Sequence, residues 1–265
     1  MKNSILLLGL LMLAACDPIA EEDRLIYEAP PSVNRSVLIE DFTGQRCVNC
    51  PNAADEIHAL QQEYGEDAVI AVGIHGGPMA VYPVPERGIV GLATETGDAY
   101  NDYWKVEQWP MGMVNRQGVT EFSKWKGTVR QELQKESPVA IMIDFDSKQM
   151  SKQAAAQIHV EGRKGATNGK LQVWVVEDSI SAIQLMPDGT ANAKYLHQHV
   201  FRAAVNGIWG EDISVTEGTT DKHSYTINME DVWVKKNLSV VAFVHNDQGV
   251  IQVARQKLLE EIQQE

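Results

Sequence analysis

Apolar positions along this chain change period once, near residue 137, and that change divides it. Val37, Leu38 and Ile39 run into Asp41-Phe42-Thr43-Gly44, which reads as a buried strand and its exit loop. Over residues 52–64, Ala53, Ile57, Leu60 and Tyr64 share one helical face, and Gly65 stands as a stop signal. Residues 68–74 are a second apolar run, continuous enough for a parallel strand covered on both faces, and His75-Gly76-Gly77-Pro78 ends it. Residues 79–104 carry loop prolines and glycines and then Tyr100, Tyr103 and Trp104. They read as an insertion that either sets specificity beside a reactive loop or packs its rings onto the domain. Trp109-Pro110 opens a short strand that ends in the turn Asn115-Arg116-Gln117-Gly118, and Thr120 then caps a helix predicted to reach about Glu136.

After Ser137-Pro138 the pattern alternates. Val139, Ile141, Ile143 and Phe145 form one strand face; Ala156, Ile158 and Val160 a second; Leu171, Val173 and Val175 a third. Residues 225–228 follow, then Val240, Ala242 and Val244, joined through the turn Asn246-Asp247-Gln248-Gly249 to residues 250–254. This spacing, with no long helix between strands, predicts an antiparallel β-sandwich. The polar segment 147–153 reads as one of its loops, and residues 255–264 as a short amphipathic C-terminal helix. The expected organisation is an α/β domain over 33–137 followed by the β-sandwich domain over 138–265.

The chain has 265 residues and a formal net charge of −13, a balance that argues against nucleic acid as a partner. Its first residues read as an address. Lys2 supplies the positive end, residues 5–13 the apolar run, and Leu13-Ala14-Ala15-Cys16 a small-residue cleavage site followed by cysteine. The apolar run is too short to span a bilayer. The segment resembles the lipobox of bacterial lipoproteins, which implies that 1–15 is a signal peptide, that Cys16 is lipidated, and that the chain reaches the membrane through this N-terminal anchor. Residues 16–32, with Glu21, Glu22, Asp23 and Pro30-Pro31, then form a tether. Acidic residues just after the cysteine also resemble the export tags of some surface lipoproteins, so the periplasmic and the surface-exposed placements both stay open.

Of the three cysteines, Cys16 is thereby accounted for, and Cys47-Val48-Asn49-Cys50-Pro51 carries the other two. They sit at a strand-to-helix junction, where unpaired amides and the positive end of the helix dipole stabilise a thiolate. Arg46 acts in the same direction. An exported location is oxidising, so the pair rests as a disulfide, and a loop this small is a weak staple for the unfolded chain. Either exchange chemistry or a structural bond is compatible with it. No second cysteine pair exists to complete a zinc site, and no cofactor is expected. His75 either faces the cysteine loop from its strand end or is a satisfied loop histidine. His197-Gln198-His199 offers two imidazoles that would point the same way on a strand and could bind one metal, or two histidines of a loop or surface; His245 near a strand end falls under the same alternatives.

The order strand, Asp41-Phe42, Cys-x-x-Cys, helix resembles thioredoxin, with the aspartate six residues before the first cysteine. The resemblance extends to Trp109-Pro110 and covers about residues 33–136. It implies that Cys47 attacks, Cys50 resolves, Asp41 moves a proton, and Pro110 is a cis residue lying against the disulfide where it holds a partner's backbone. Arg46 and Val48-Asn49 depart from that family's usual Trp and Gly-Pro, positions that tune reduction potential and docking, so the direction of exchange stays open. As a whole, residues 41–51, His197-Gln198-His199-Val200-Phe201-Arg202, Val240-Val241-Ala242-Phe243-Val244 and the lipobox resemble the outer-membrane protein 28 lipoproteins. That resemblance implies an outer-membrane location and a role described as surface antigen, receptor or adhesin. Two functions follow: a lipid-anchored thiol-disulfide oxidoreductase acting on protein thiols or disulfides, or a non-enzymatic envelope protein that binds an unknown surface ligand.

Overall fold

The computed structural model describes residues 33–145 and 152–259, so the expected signal peptide, Cys16, the expected tether and most of the polar segment 147–153 lie outside the described residues. In chain order the elements are β1 (Val33–Asn34), β2 (Val37–Thr43), α1 (Cys50–Tyr64), β3 (Val69–His75), α2 (Glu95–Tyr103), β4 (Met111–Val114), α3 (Trp125–Glu132), β5 (Glu136–Ser137), β6 (Val139–Phe145) and β7 (Gln153–Gly162). They continue as β8 (Ala166–Glu177), β9 (Ile180–Leu185), β10 (Ala191–His197), β11 (Val200–Ala204), β12 (Glu211–Thr216), β13 (Thr220–Asn228), β14 (Leu238–Asn246) and β15 (Gly249–Lys257).

One mixed sheet of eight strands runs through both halves of the sequence, in the order β15-β14-β8-β11-β3-β2-β4 with β12 also on β8. The halves meet where β11 lies parallel to β3, Val200 opposite Gly73, and the Gly73 amide donates to the His199 carbonyl at 2.8 Å. A three-stranded sheet, β13-β7-β6, packs on the far side of the second half, and among the described strands β9 pairs with β10 alone.

Strand alternation explains the continuous apolar runs. On β2 and β3, Val37, Ile39, Val69 and Ala71 face α1 and α3 and pack with Ile57, Leu60, Trp125 and Val129. Their neighbours Leu38, Phe42, Ile70, Val72 and Ile74 face the other way, into a core with Tyr100, Trp174, Phe201 and Phe243. A third core fills the space between the two sheets of the second half, with Ile158, Val160, Val173, Val175, Ile213 and Val240. The period-2 readings of β6, β7, β8 and β14 hold in this core, and burial of each such aliphatic side chain contributes roughly 1.5–3 kcal/mol.

Two elements differ from the sequence reading. The helix expected to run to about Glu136 is a short 3-10 turn over Phe122–Lys124 and then α3, because residues 136–137 pair with β1 instead. The expected C-terminal helix does not begin at Arg255. Residues 255–257 extend β15, where Gln256 lies opposite Val240 and Leu258 is buried, so ladder pairing outcompetes a local helical preference; residues 260–264 lie outside the described residues.

Candidate functional site

The exit loop of β2 is held by close backbone packing. A Cβ on Gly44 would come within 2.4 Å of the Met79 backbone, and the Arg46 amide donates to the Met79 carbonyl at 2.9 Å. Beyond that contact the Cys47 amide donates to Gly44 at 3.0 Å, and the chain turns into α1 with Cys50 as its first residue and Pro51 next. Cys47 and Cys50 are joined in a disulfide. The first turn of α1 holds no acidic residue and no side-chain cap, so nothing on the helix itself offsets the positive end that faces the sulfurs.

Both cysteines are nearly covered, with Cys47 4% and Cys50 3% exposed, although Arg46, Val48 and Asn49 between and beside them are open. Part of the cover comes from the β9–β10 hairpin. The Gln184 side-chain amide donates to the Cys47 carbonyl at 2.8 Å, the Leu185 amide donates to Gln45 at 2.9 Å, and the Gln45 side chain returns a bond to Ile183 at 3.2 Å.

Behind Cys50 lies a cavity of about 210 Å³ lined by Asp41, Gly73, His75, Tyr195 and His197. The parallel register puts Gly73 opposite Asp41 and His75 opposite Thr43, so Asp41 and His75 fall on the α1 face with an unfilled position between them. Asp41 Oδ1 finds no hydrogen-bond partner, and burial pushes the carboxyl up to about 8. Neither ring nitrogen of His75 makes a well-aligned side-chain hydrogen bond, although the ring has a backbone contact at Gly73, and Nε2 of His197 is unpartnered; the two rings meet edge-on at 5.5 Å. Burial lowers His75 to about 3, helped by the nearby His197 and Arg202, and lowers His197 to about 4. His75, the last residue of β3, therefore lines the cavity behind the cysteine loop. Tyr195 stands 4.8 Å from the His197 ring, its hydroxyl shifted upward by burial and by the charges of Asp55 and Asp41.

The Trp109-Pro110 bond is cis, and the next residue, Met111, pairs with Phe42 of β2. Pro110 thus enters the sheet beside the end of the strand that carries Asp41. His197 and His199 are not an alternating strand pair. The strand ends at His197, and His199 sits at φ +55 in the turn to β11, with Nδ1 3.0 Å from Asp178 Oδ1 and Nε2 3.2 Å from Gln61 Oε1. Asp178 is ion-paired to Arg255 as well; burial acts against its charge, but the bonds from His199 and the Arg255 charge prevail and hold it down to about 2. Among the described residues no group of three or more His, Cys, Asp or Glu side chains could hold a metal ion.

Comparison with known proteins places these features in a family. The model of the outer membrane protein Omp28 family matches residues 97–262. The chain belongs to that family. It is accordingly an outer-membrane protein, as the whole-chain resemblance implied. The matched stretch holds Pro110, the hairpin and His197, while Asp41, Cys47, Cys50 and His75 precede it. Among solved structures, HBP35 of Porphyromonas gingivalis is similar over 89% of this chain and 80% of its own, at 18% identity and a TM-score of 0.66, a likeness of fold. A domain of the outer membrane lipoprotein Omp28 from Porphyromonas gingivalis is 25% identical over 46% of this chain and 88% of its own, with a TM-score of 0.34. No curated protein matches the sequence.

Gln184 and Tyr195 carry no signal in the sequence, and His197 is marked there without its place beside the cysteines. All three reach the disulfide region through the hairpin, whose position depends on β11 joining β3. Glu40 and Arg116 form a buried ion pair at 3.1 Å, and the guanidinium lies 4.8 Å from the Phe243 ring and 3.1 Å from His245 Nε2. Burial and the Arg116 charge lower His245 to about 3, so it too is neutral.

Beyond this pair lies a second cavity of about 740 Å³, lined by Tyr103, Trp104, Trp209, Lys170, Asp212 and Asn246 among others. Tyr103 meets Trp209 at 4.4 Å and Trp104 at 4.9 Å, and the insertion thus packs through its rings while leaving Tyr103 59% and Trp209 39% exposed.

Proposed function

We propose that the chain is a lipid-anchored thiol-disulfide exchange protein of the outer membrane, anchored through Cys16, in which residues 33–137 form a thioredoxin-like unit completed by the β-rich half. The observation that carries this reading is the disulfide at the N-terminus of α1 backed by a buried carboxyl, one of its oxygens unpaired, in one cavity with Cys50. A structural cross-link needs no such carboxyl, and an unpaired buried acid is a cost that folding alone does not require. The β2-α1-β3 order and the strand that follows Pro110 support the thioredoxin-like description.

Starting from the disulfide, a substrate thiolate forms a bond to Cys47 Sγ while the Cys47–Cys50 bond breaks. Cys50 leaves as a thiolate and takes the proton of Asp41, which is largely protonated at neutral pH because burial raises it to about 8. A second substrate thiolate then attacks the substrate sulfur of the mixed disulfide, releasing Cys47 as a thiolate at the helix N-terminus. Two electrons pass from a substrate dithiol to the protein, and the reverse sequence reduces a substrate disulfide. Pro110, beside the end of β2, is the docking residue in this scheme. Reduction of insulin or a model disulfide is to be compared with a Cys47→Ser variant. Activity lost in the variant supports exchange; equal, negligible rates in both proteins refute it.

A second reading, a non-enzymatic receptor or adhesin, is favoured by the aromatic-lined cavity, whose volume lies within the roughly 300–1,000 Å³ of small-ligand sites. Binding to cells or matrix that is lost in Trp209→Ala and unaffected by Cys47→Ser/Cys50→Ser would favour this function over exchange.

A further inference from the structure

We propose that His75 and His197 form a relay that carries the proton between Asp41 and solvent each time the disulfide opens or closes. The inference rests on the exchange reading and extends it to residues outside the cysteine motif.

Buried polar atoms without partners are scarce in folded proteins, and each one calls for an explanation. Here four buried atoms without a well-aligned partner belong to residues that line one cavity: Asp41 Oδ1, Nδ1 and Nε2 of His75, whose ring has a backbone contact at Gly73, and Nε2 of His197. They come from three strands, β2, β3 and β10, so no local sequence accident gathers them. A void of about 210 Å³ with polar walls has room for several waters, each of which occupies about 30 Å³ in the liquid. Gly73 keeps the passage beside Asp41 open. A Cβ there would meet its nearest neighbours at 3.7 Å, an ordinary contact, so steric need does not explain the missing side chain. The His75 and His197 rings lie 5.5 Å apart on the wall of this cavity, and its lining continues to the exposed residues Asp55 and His58 on α1 and Gln198 in the turn after β10.

Proton traffic is the chemistry this arrangement suits. When a substrate thiolate opens the disulfide, the Cys50 thiolate takes the Asp41 proton and leaves a carboxylate in a buried site. That charge is removed by a proton from solvent. In His197 the proton is taken and given at Nε2, the nitrogen without a partner, because the ring is also bonded to the backbone of Ile183 and Ala182. Both rings are held neutral by burial, with His75 at about 3 and His197 at about 4. The other titratable or charged groups around the pair are Tyr195 on β10, His199 in the turn, Arg202 on β11, and Asp55 and His58 on α1. Of these, Arg202 opposes protonation of His75, while His199 is committed to Asp178 and Gln61. When the disulfide reforms, Cys50 returns its proton to the Asp41 carboxylate and the same path leads it out.

The test measures reduction of the Cys47–Cys50 disulfide by dithiothreitol in the full chain across pH 5.5 to 9, in wild type, Asp41→Asn, His75→Leu, His197→Leu and Gly73→Val. His75→Leu removes two nitrogens without a well-aligned partner and is expected to fold at least as stably as wild type. Positioned proton transfer contributes roughly 10²–10⁴-fold, and since water can stand in for one member of the chain, each histidine variant should slow reduction about tenfold and enlarge the solvent deuterium isotope effect. Gly73→Val should do the same with every titratable group retained, and free imidazole should restore part of the rate in His75→Gly. If both histidine variants match the wild-type rate, pH profile and isotope effect while Asp41→Asn is slow, the relay is overturned and the exchange reading stands. A wild-type protein that exchanges with no thiol or disulfide substrate overturns both.

Discussion

Replacing Asp41 with Asn tests the feature on which the chemistry depends, because a buried carboxyl leaves a specific mark on stability. Burial raises this group from the ordinary 3.8 to about 8. In the folded protein it keeps its proton up to about pH 8, whereas in the unfolded chain it ionises near pH 4. Between those values the folded state binds the extra proton, so the group lowers stability as pH rises, by about 1.4 kcal/mol for each pH unit. The effect is absent below pH 4, where both states are protonated, and constant well above pH 8, where both are ionised. Histidines act in the opposite sense. His75, His197 and His245 are depressed to about 3, 4 and 3, so the unfolded chain binds their protons and stability climbs as pH rises to about 6.5.

Comparing Asp41→Asn with wild type cancels the histidine terms, which both proteins share. Asparagine has nearly the same shape and does not titrate, so the stability of the variant relative to wild type should rise by about 4 kcal/mol between pH 5 and pH 8.5. Urea unfolding under non-reducing conditions, followed by tryptophan fluorescence, reads this difference directly. A difference that stays constant within about 1 kcal/mol over that range would mean that Asp41 is solvated or paired in the folded protein. The proton-donor role would fall with it.

Other consequences are more local. Gln184→Ala removes the bond to the Cys47 carbonyl, and a net loss of about 0.5–1.5 kcal/mol from the hairpin's hold should speed reduction of the disulfide by a small dithiol roughly 2- to 10-fold; an unchanged rate refutes the hairpin as a barrier. Arg116→Met leaves Glu40 buried without its partner and should destabilise the protein by about 3–5 kcal/mol in urea unfolding, most of it recovered in the Arg116→Met/Glu40→Leu double variant. Gly249→Ala places a Cβ 2.3 Å from the Asn115 carbonyl oxygen at φ +109, so a loss of about 1–3 kcal/mol is expected by the same measurement.

The cysteine helix, the strands on either side of it and the alternating strands of the second half were legible because their burial follows their own period. Asp41 and the cysteine pair were legible too, since a strand, a loop and a helix N-terminus are consecutive in the chain. What the sequence hides is the partner of each face. The apolar runs of β2 and β3 announce two covered faces without saying that one is covered by Trp174 and Phe243 from strands far along the chain. The two expected domains are therefore joined by one sheet at Gly73 and Val200, a pairing of one residue with no local signature. His197-Gln198-His199 misleads for a related reason. The strand ends inside it, and a left-handed turn at His199 sends the second ring to Asp178.

That long-range pairing decides how the site works. The first half supplies the sulfurs, Asp41 and His75; the second supplies Gln184, Tyr195 and His197, all on a hairpin that, among the described residues, pairs with no strand of the main sheet. An element held by a few side-chain and loop hydrogen bonds opens at far lower free energy than a strand of the core. Cover over the disulfide and one wall of the cavity belong to this same hairpin, so a single movement would expose Cys47 to a partner and admit water to Asp41 and His75. The closed form would then protect the disulfide at rest, and docking of a partner would supply both access to the sulfur and a path for its proton.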